Sequence, residues 1–250
     1  MSISAPESKA APSTIPAGIP KRSMAAAINN WFAQHWLLAF NTGWGVFTTL
    51  PWLAPIFMAL GWVWPGRIVY FIYNFFCHQL PERSWFLFGS KFTYTQAEIA
   101  AAWGRTLPEI SNELVRRQFI GTSELGWKVA WSDRMVGMYT SIFLFGLLYA
   151  ILRERRLKIP GFPWWLFLIF IVPMAIDGTT HLINDVLRLQ FRQTNEWAML
   201  ITGGIFPLEF YVDDAFGSLN SVLRLITGIL FGAGVVGFLW PIMEGEFSPR

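Results

Sequence analysis

Two stretches hold most of the residue types that do chemistry. In "PMAIDGTTHLINDV" Asp177 and His181 are four residues apart inside an otherwise apolar run, so a helix puts both on one face, with Thr180 beside His181. Such a pair can share a metal, or the carboxylate can fix the imidazole tautomer for proton transfer. Charge inside a lipid-compatible segment is costly and marks a functional or partnered group. The second stretch, "NFFCHQLPERSWFLFG", gathers Cys77, His78, Gln79, Glu82, Arg83 and Ser84 among aromatic residues. Cys77 is the single cysteine, which excludes an intrachain disulfide and leaves it a small buried hydrophobe or a functional thiol.

The elements that position these residues belong to a membrane protein. The chain is 54% hydrophobic, 17% aromatic and only 14% charged, the balance of a polytopic membrane chain. Its basic residues are dispersed or flank apolar runs, which argues against a nucleic-acid partner at a net charge of +3. Residues 1–22, rich in Ala, Pro and Ser without a signal-peptide core, read as a disordered cytoplasmic tail, and 23–250 as one membrane domain.

Four segments reach the length needed to cross the bilayer: 37–62, 135–152 (longer if it begins near Trp131), 163–183 and 221–243. Trp pairs at 62–64 and 163–165 suit the two headgroup belts, and Ile28, Trp31, Phe32 and Trp36 suggest an interfacial helix carrying a headgroup-facing His35. Residues 67–78 are too short to span and read as interfacial or re-entrant. The insertion 91–128 reads as short amphipathic helices started by Thr and Pro, and 184–220 is a second extramembrane insertion. The fold expected is an all-α polytopic membrane bundle of about four transmembrane helices with an interfacial helix and an outer-side helical cap. Gly217, Gly228, Gly232, Gly234 and Gly237 suit close packing of the last span. "NEWAMLITGGIF" and "NSVLRLITGILF" match at an offset of 25, as a local duplication or a shared packing style would.

The four basic residues of "RERRLK" between the second and third spans, with Lys21 and Arg22, place both termini on the cytoplasmic side of the inner (plasma) membrane. This topology brings His78, Arg83, Asp133, Arg134, Asp177, His181 and Arg224 to one outer depth. Asp177, His181 and His78 are then candidate catalytic groups and, with an open position, candidate ligands for Zn or another transition metal. Arg83, Arg134 and Arg224 are candidates to hold an anionic group of a lipid-linked or amphipathic substrate. The bland alternative is that Asp177 with Arg134 or Arg224 is an ion pair that locks helices together.

The series "CHQLPERSWFLFG", "DRMVGMY", "AIDGTTHL" and "NSVLRLITGILFG" resembles the motif order of a prokaryotic integral membrane family, the domain-of-unknown-function 2085 group, over about residues 65–235. The resemblance implies membrane location and a shared fold, and carries no established activity. The family pattern implies a Cys-x-x-Cys or Cys-x-x-Asp element that ends in a Gly-Ile-Tyr-like sequence. Here Ser132 and Met135 stand at those ligand-like positions before Gly137-Met138-Tyr139, so the thiolate pair is missing and Asp133 offers a neighbouring oxygen in its place. Lost ligands and added extramembrane segments also fit a non-catalytic accessory or assembly subunit of an energy-transducing membrane complex, with other membrane subunits as partners.

Overall fold

The computed structural model describes residues 24–157, 159–187 and 189–247; the tail expected over 1–22 lies outside them. Among the described residues three helices are long and apolar enough to cross a membrane: α5 (Asp133–Glu154), α6 (Trp164–Val186) and α10 (Leu219–Phe247). The expected first span lies within α1 (Met24–Ala59), 36 residues long, which packs along α5 but is not among those three by apolarity. Its backbone leaves helical geometry at His35, and Pro51 and Pro55 each remove an internal hydrogen bond. It stops at a left-handed Gly61, where Trp62 N–H bonds Phe57 O at 2.8 Å and Gly61 N–H bonds Met58 O at 3.1 Å. That pairing closes the orphan carbonyls of the last turn.

Helix α2 (Val63–Tyr73) follows at the same end. At ~16 Å it is too short to span. It turns Trp64, Ile68, Phe71 and Ile72 outward while burying Val69, Tyr70 and Tyr73, so one face is apolar and open and the other packs on the protein. Trp164 and Trp165 are exposed at the opposite end of the bundle, where α6 begins.

Close approach of α5 and α10 rests on glycine. A Cβ on Gly228 would stand 2.9 Å from Arg134 O and Met138 N, and one on Gly137 would stand 2.9 Å from Leu225 O. Gly232, Gly234 and Gly237 also face neighbours, but Gly217 meets nothing within 4 Å and has φ +97°, so it serves a turn rather than packing. The expected duplication separates into two structures. Gly203 is the left-handed cap of the short α8 (Glu196–Thr202), whereas its counterpart Gly228 is an interior packing residue of α10.

A small cap covers one end of the bundle. As expected, α3 (Gln96–Trp103) starts at Thr95, whose side chain and that of Glu98 bond each other's backbone N–H groups. The other expected helix is a single turn, α4 (Glu113–Arg116), started by Asn112 rather than by a proline. The rest of the cap departs from an all-helical reading. Strands β1 (Ser84–Leu87), β2 (Gly121–Thr122) and β3 (Gly126–Ser132) form an antiparallel sheet in the order β1-β3-β2, with Phe86 opposite Lys128 and Gly121 opposite Trp127. β3 runs directly into α5 at Asp133, so the span does not begin at Trp131. Trp131 packs edge-on against Phe47 and Tyr73, and Tyr70 Oη donates to Lys128 O at 2.5 Å, which seats the sheet on α1 and α2.

A buried arginine and aspartate cluster at the capped end

Helix ends from every layer meet beneath the cap. α5 contributes Asp133 and Arg134 from its first turn, α6 contributes Asp177, His181 and Asp185 from its last turns, and α10 contributes Arg224. The turn at Pro81–Arg83 brings Arg83, the one-turn helix α7 (Phe191–Thr194) brings Arg192, and the loop after α9 (Leu208–Tyr211) brings Asp214. Arg83, Arg134, Asp177, His181 and Arg224 are thus brought together, as the topology argument expected.

The cluster has two parts. In the first, Arg224 Nε donates to Asp133 Oδ1 and Oδ2 at 2.7 and 2.9 Å, and its Nη1 and Nη2 donate to Asp214 Oδ1 and O at 2.6 and 2.7 Å. Arg83 continues the chain to Asp214 Oδ2 at 3.0 Å and Asp185 Oδ2 at 3.3 Å. Burial alone would push Asp214 up, but Arg83 and Arg224 outweigh it and hold the carboxyl far below its usual range. Burial likewise opposes the charge of Arg83, and Asp214, Asp185 and Glu82 overcome it.

The second part centres on Asp177. Arg134 Nη2 donates to its Oδ2 at 2.6 Å, and Arg192 Nη2 donates to its Oδ1. Arg192 Nη2 also lies 2.8 Å from His181 Nε2. A guanidinium only donates, so Nε2 accepts and the ring proton sits on Nδ1. Among the described residues that Nδ1 is buried without a partner, and so are Arg134 Nε and Arg192 Nε. Burial is the main influence on Arg192 and lowers it from its ordinary value despite Asp177. The backbone of Arg192 is anchored from α10, since Asn220 Nδ2 donates to Arg192 O at 2.6 Å.

A cavity of about 270 Å³ opens on this cluster, with Arg83, Arg134, His181 and Arg224 in its wall and Cys77 and His78 at the cap side. His78 is exposed, while Cys77 is buried, accepting from Gln79 N–H at 3.3 Å and lying 3.5 Å from Ser132 Oγ. Gly178 also lines the cavity, and a Cβ there would come within 3.3 Å of Arg134 Nη1; its missing side chain lets that guanidinium cross α6.

The remaining polar residues of "CHQLPERS" hold the turn itself. Lys128 Nζ donates to Gln79 O at 2.6 Å and Arg117 O at 2.8 Å, Arg116 Nε donates to Glu82 at 2.8 Å, and Ser84 Oγ donates to Leu80 O at 2.9 Å. Lys128 is fully enclosed, and burial first of all lowers it to about 7; a neutral amine has two N–H groups, which the two carbonyls accept.

The expected metal set does not assemble. Among the described residues no group of three or more His, Cys, Asp or Glu side chains is placed to hold an ion. Each Asp177 oxygen already accepts from a guanidinium, both Asp133 oxygens accept from Arg224, and His181 Nε2 is taken by Arg192. A divalent cation here would have to displace a guanidinium from each carboxylate it ligated, so these residues as they stand do not fit Zn or a similar metal. Arg192, Asp185 and Asp214 are the members the sequence reading missed. Their only signal was charge in or beside the connection between two spans.

These features define a helical membrane protein with a polar cavity closed in by its own helix ends. Residues 121–212 match the model of the family described as "Predicted membrane protein (DUF2085)", which bears out the motif resemblance. The chain is also similar to an uncharacterized protein of Methanocaldococcus jannaschii, 28% identical over 166 residues that cover 64% of this chain and 79% of the relative. No solved structure matches.

Proposed function

We propose that this membrane protein binds an amphiphile through an oxyanion, a carboxylate or phosphate, held in the cavity at the capped end. The observation that carries this reading is the cavity wall, which holds the guanidiniums of Arg83, Arg134 and Arg224 beside His181. Arg134 uses Nη2 on Asp177 and keeps 18% of its side chain exposed, so an oxyanion in the cavity can accept from its remaining N–H groups. Arg134 and His181 line the cavity and bind the ligand, Arg192 stands behind His181, and Asp177 positions both guanidiniums. If the site also runs a reaction, His78 is its acid or base, since it lies at the rim outside the ion pairs.

The cap faces the outer side in this reading. Phe32 and Trp36 of α1 meet Phe247 of α10, so both ends of the described chain share the end of the bundle that carries Arg153, Arg155 and Arg156. The positive-inside preference makes that end cytoplasmic.

Calorimetric titration of the detergent-purified protein with inorganic phosphate, octyl phosphate and octanoate tests the site. Saturable binding that falls roughly tenfold in Arg134→Gln is expected. No binding of any of the three probes, or equal binding to Arg134→Gln, sinks the proposal. A second reading, a non-catalytic subunit of a larger complex, draws on the exposed Leu200, Ile201, Ile205 and Leu208 near the cap; stoichiometric co-purification of other chains would favour it.

A further inference from the structure

Away from the cap, α1 and α5 do not close fully along their length. A lateral groove of about 720 Å³ runs between them, walled by Leu38, Val46 and Leu53 of α1 and by Phe143 and Leu147 of α5. It follows α1 from Gln34 to Leu53, about 28 Å at the helical rise, which is the depth of the hydrocarbon layer. Water does not fill an apolar groove at that depth, so its occupant is itself apolar. All the empty space along it, about 1410 Å³, averages about 50 Å² in cross-section, whereas an α-helix about 10 Å across needs ~80 Å². An extended hydrocarbon chain enters such a slot, and a partner helix can only lie across it.

The two ends differ. Towards the cap the groove is lined by Leu50 and Leu53, while the far end is polar, with Gln34, His35, Arg153 and Glu154. It opens where α1 bends at His35, whose ring stacks on Trp31 with centroids 5.0 Å apart. Arg155 and Arg156 follow at that level with exposed side chains, Arg156 on the side of Pro241 and Glu244 of α10; Glu244 pairs Arg153, so Arg153, Arg155 and Arg156 against Glu154 and Glu244 leave one net positive charge there. An apolar slot with a polar and net basic mouth at one membrane surface matches a lipid carrying a negative headgroup.

We infer that the groove between α1 and α5 holds one acyl chain of an anionic phospholipid, with its headgroup beside Arg155 and Arg156. This site is separate from the cavity at the capped end and stands whether or not that cavity binds a ligand. Gly45 forms part of the floor, since a Cβ there would stand 2.8 Å from the Phe143 ring and push the helices apart.

The test is native mass spectrometry of the full chain in mild detergent with equal phosphatidylglycerol and phosphatidylethanolamine. Wild type, Val46→Trp, Arg155→Gln/Arg156→Gln and the control Ile169→Trp on the exposed face of α6 are compared. Val46 and Ile169 are both exposed, so neither substitution disturbs the core. The inference expects about one retained lipid with phosphatidylglycerol preferred, retention roughly tenfold lower in Val46→Trp but unchanged in Ile169→Trp, and loss of the headgroup preference in the double variant. Equal retention in Val46→Trp and Ile169→Trp overturns it. So does a dimer mass that disappears in Val46→Trp, because a second copy would then cover the groove.

Discussion

The Arg224 and Asp177 parts of the buried cluster use the same two residue types at the same end of the bundle, yet they are finished differently. Arg224 meets Asp133 and Asp214 through three of its nitrogens, and the chain of pairs runs through Arg83 to Asp185. Around Asp177 the carboxylate is well served, while Arg134 Nε, Arg192 Nε and His181 Nδ1 have no acceptor. Charge pairing alone therefore does not separate a brace from a binding site. What separates them is what remains after the charges are paired: each nitrogen of the Arg224 guanidinium has an acceptor, whereas three buried donors around Asp177 have none among the described residues, the difference on which the ligand site proposed above is tested.

Breaking the closed part should have the largest effect. Asp214→Ala leaves Arg83 with Asp185 alone and Arg224 with Asp133 alone, two buried cations facing each other with one carboxylate fewer, and a loss of about 3 kcal/mol is expected in denaturant unfolding of the purified protein. A loss below ~1 kcal/mol would show that water reaches this part and that it is not a brace.

The buried lysine of the cap tests whether a lone cation behaves like the paired arginines. Lys128 is lowered to about 7 when folded, against ~10.4 when unfolded. Between those values the unfolded chain binds a proton that the folded chain does not, so stability rises with pH across that window, by at most about 1.4 kcal/mol per pH unit. Below pH 7 both states are protonated and this slope ends. Unfolding midpoints from pH 7 to 10 should therefore climb in wild type and lose that increment in Lys128→Met; identical profiles would mean the amine stays charged in the fold.

The smallest change in stability belongs to the open part. His181→Leu removes a donor that has no acceptor, and it also removes the acceptor of one Arg192 N–H. These offset each other, so a change within about 1 kcal/mol is expected, together with clear loss of oxyanion binding by titration. A loss as large as that of Asp214→Ala would make the two parts equivalent and remove the contrast between them.

The sequence reached the convergence of Arg83, Arg134, Asp177, His181 and Arg224 because an odd or even number of crossings decides which helix ends share a level. It also reached α2 through its length, and α3 through its amphipathic pattern and Thr start. The sheet stayed hidden because the apolar residues of "WKVAWS" read as an extension of the α5 run across Asp133 and Arg134, whereas the boundary at Ser132 is drawn by pairing with β1. Arg192 and Asp214 lay beyond reach for a related reason. The path of residues 187–218 is set by contacts such as those of Asn195 with Tyr211 O and Asn220 Oδ1, which no local pattern announces. The metal reading failed at Asp177 and Asp133 because spacing shows which groups can ligate, and it does not show which arginines reach them first.

The grip of Asn220 on the backbone of Arg192 bears on the order in which the cluster is built. A chain made from its N-terminus inserts α6 first, leaving Asp177 with Arg134 as its only cation from the spans already in place. Arg192 is then held to Asn220 when the last helix arrives, and Arg224 comes on that helix. Both parts of the cluster therefore wait on α10: until that helix docks, Asp133 lacks Arg224 and the backbone of Arg192 lacks Asn220.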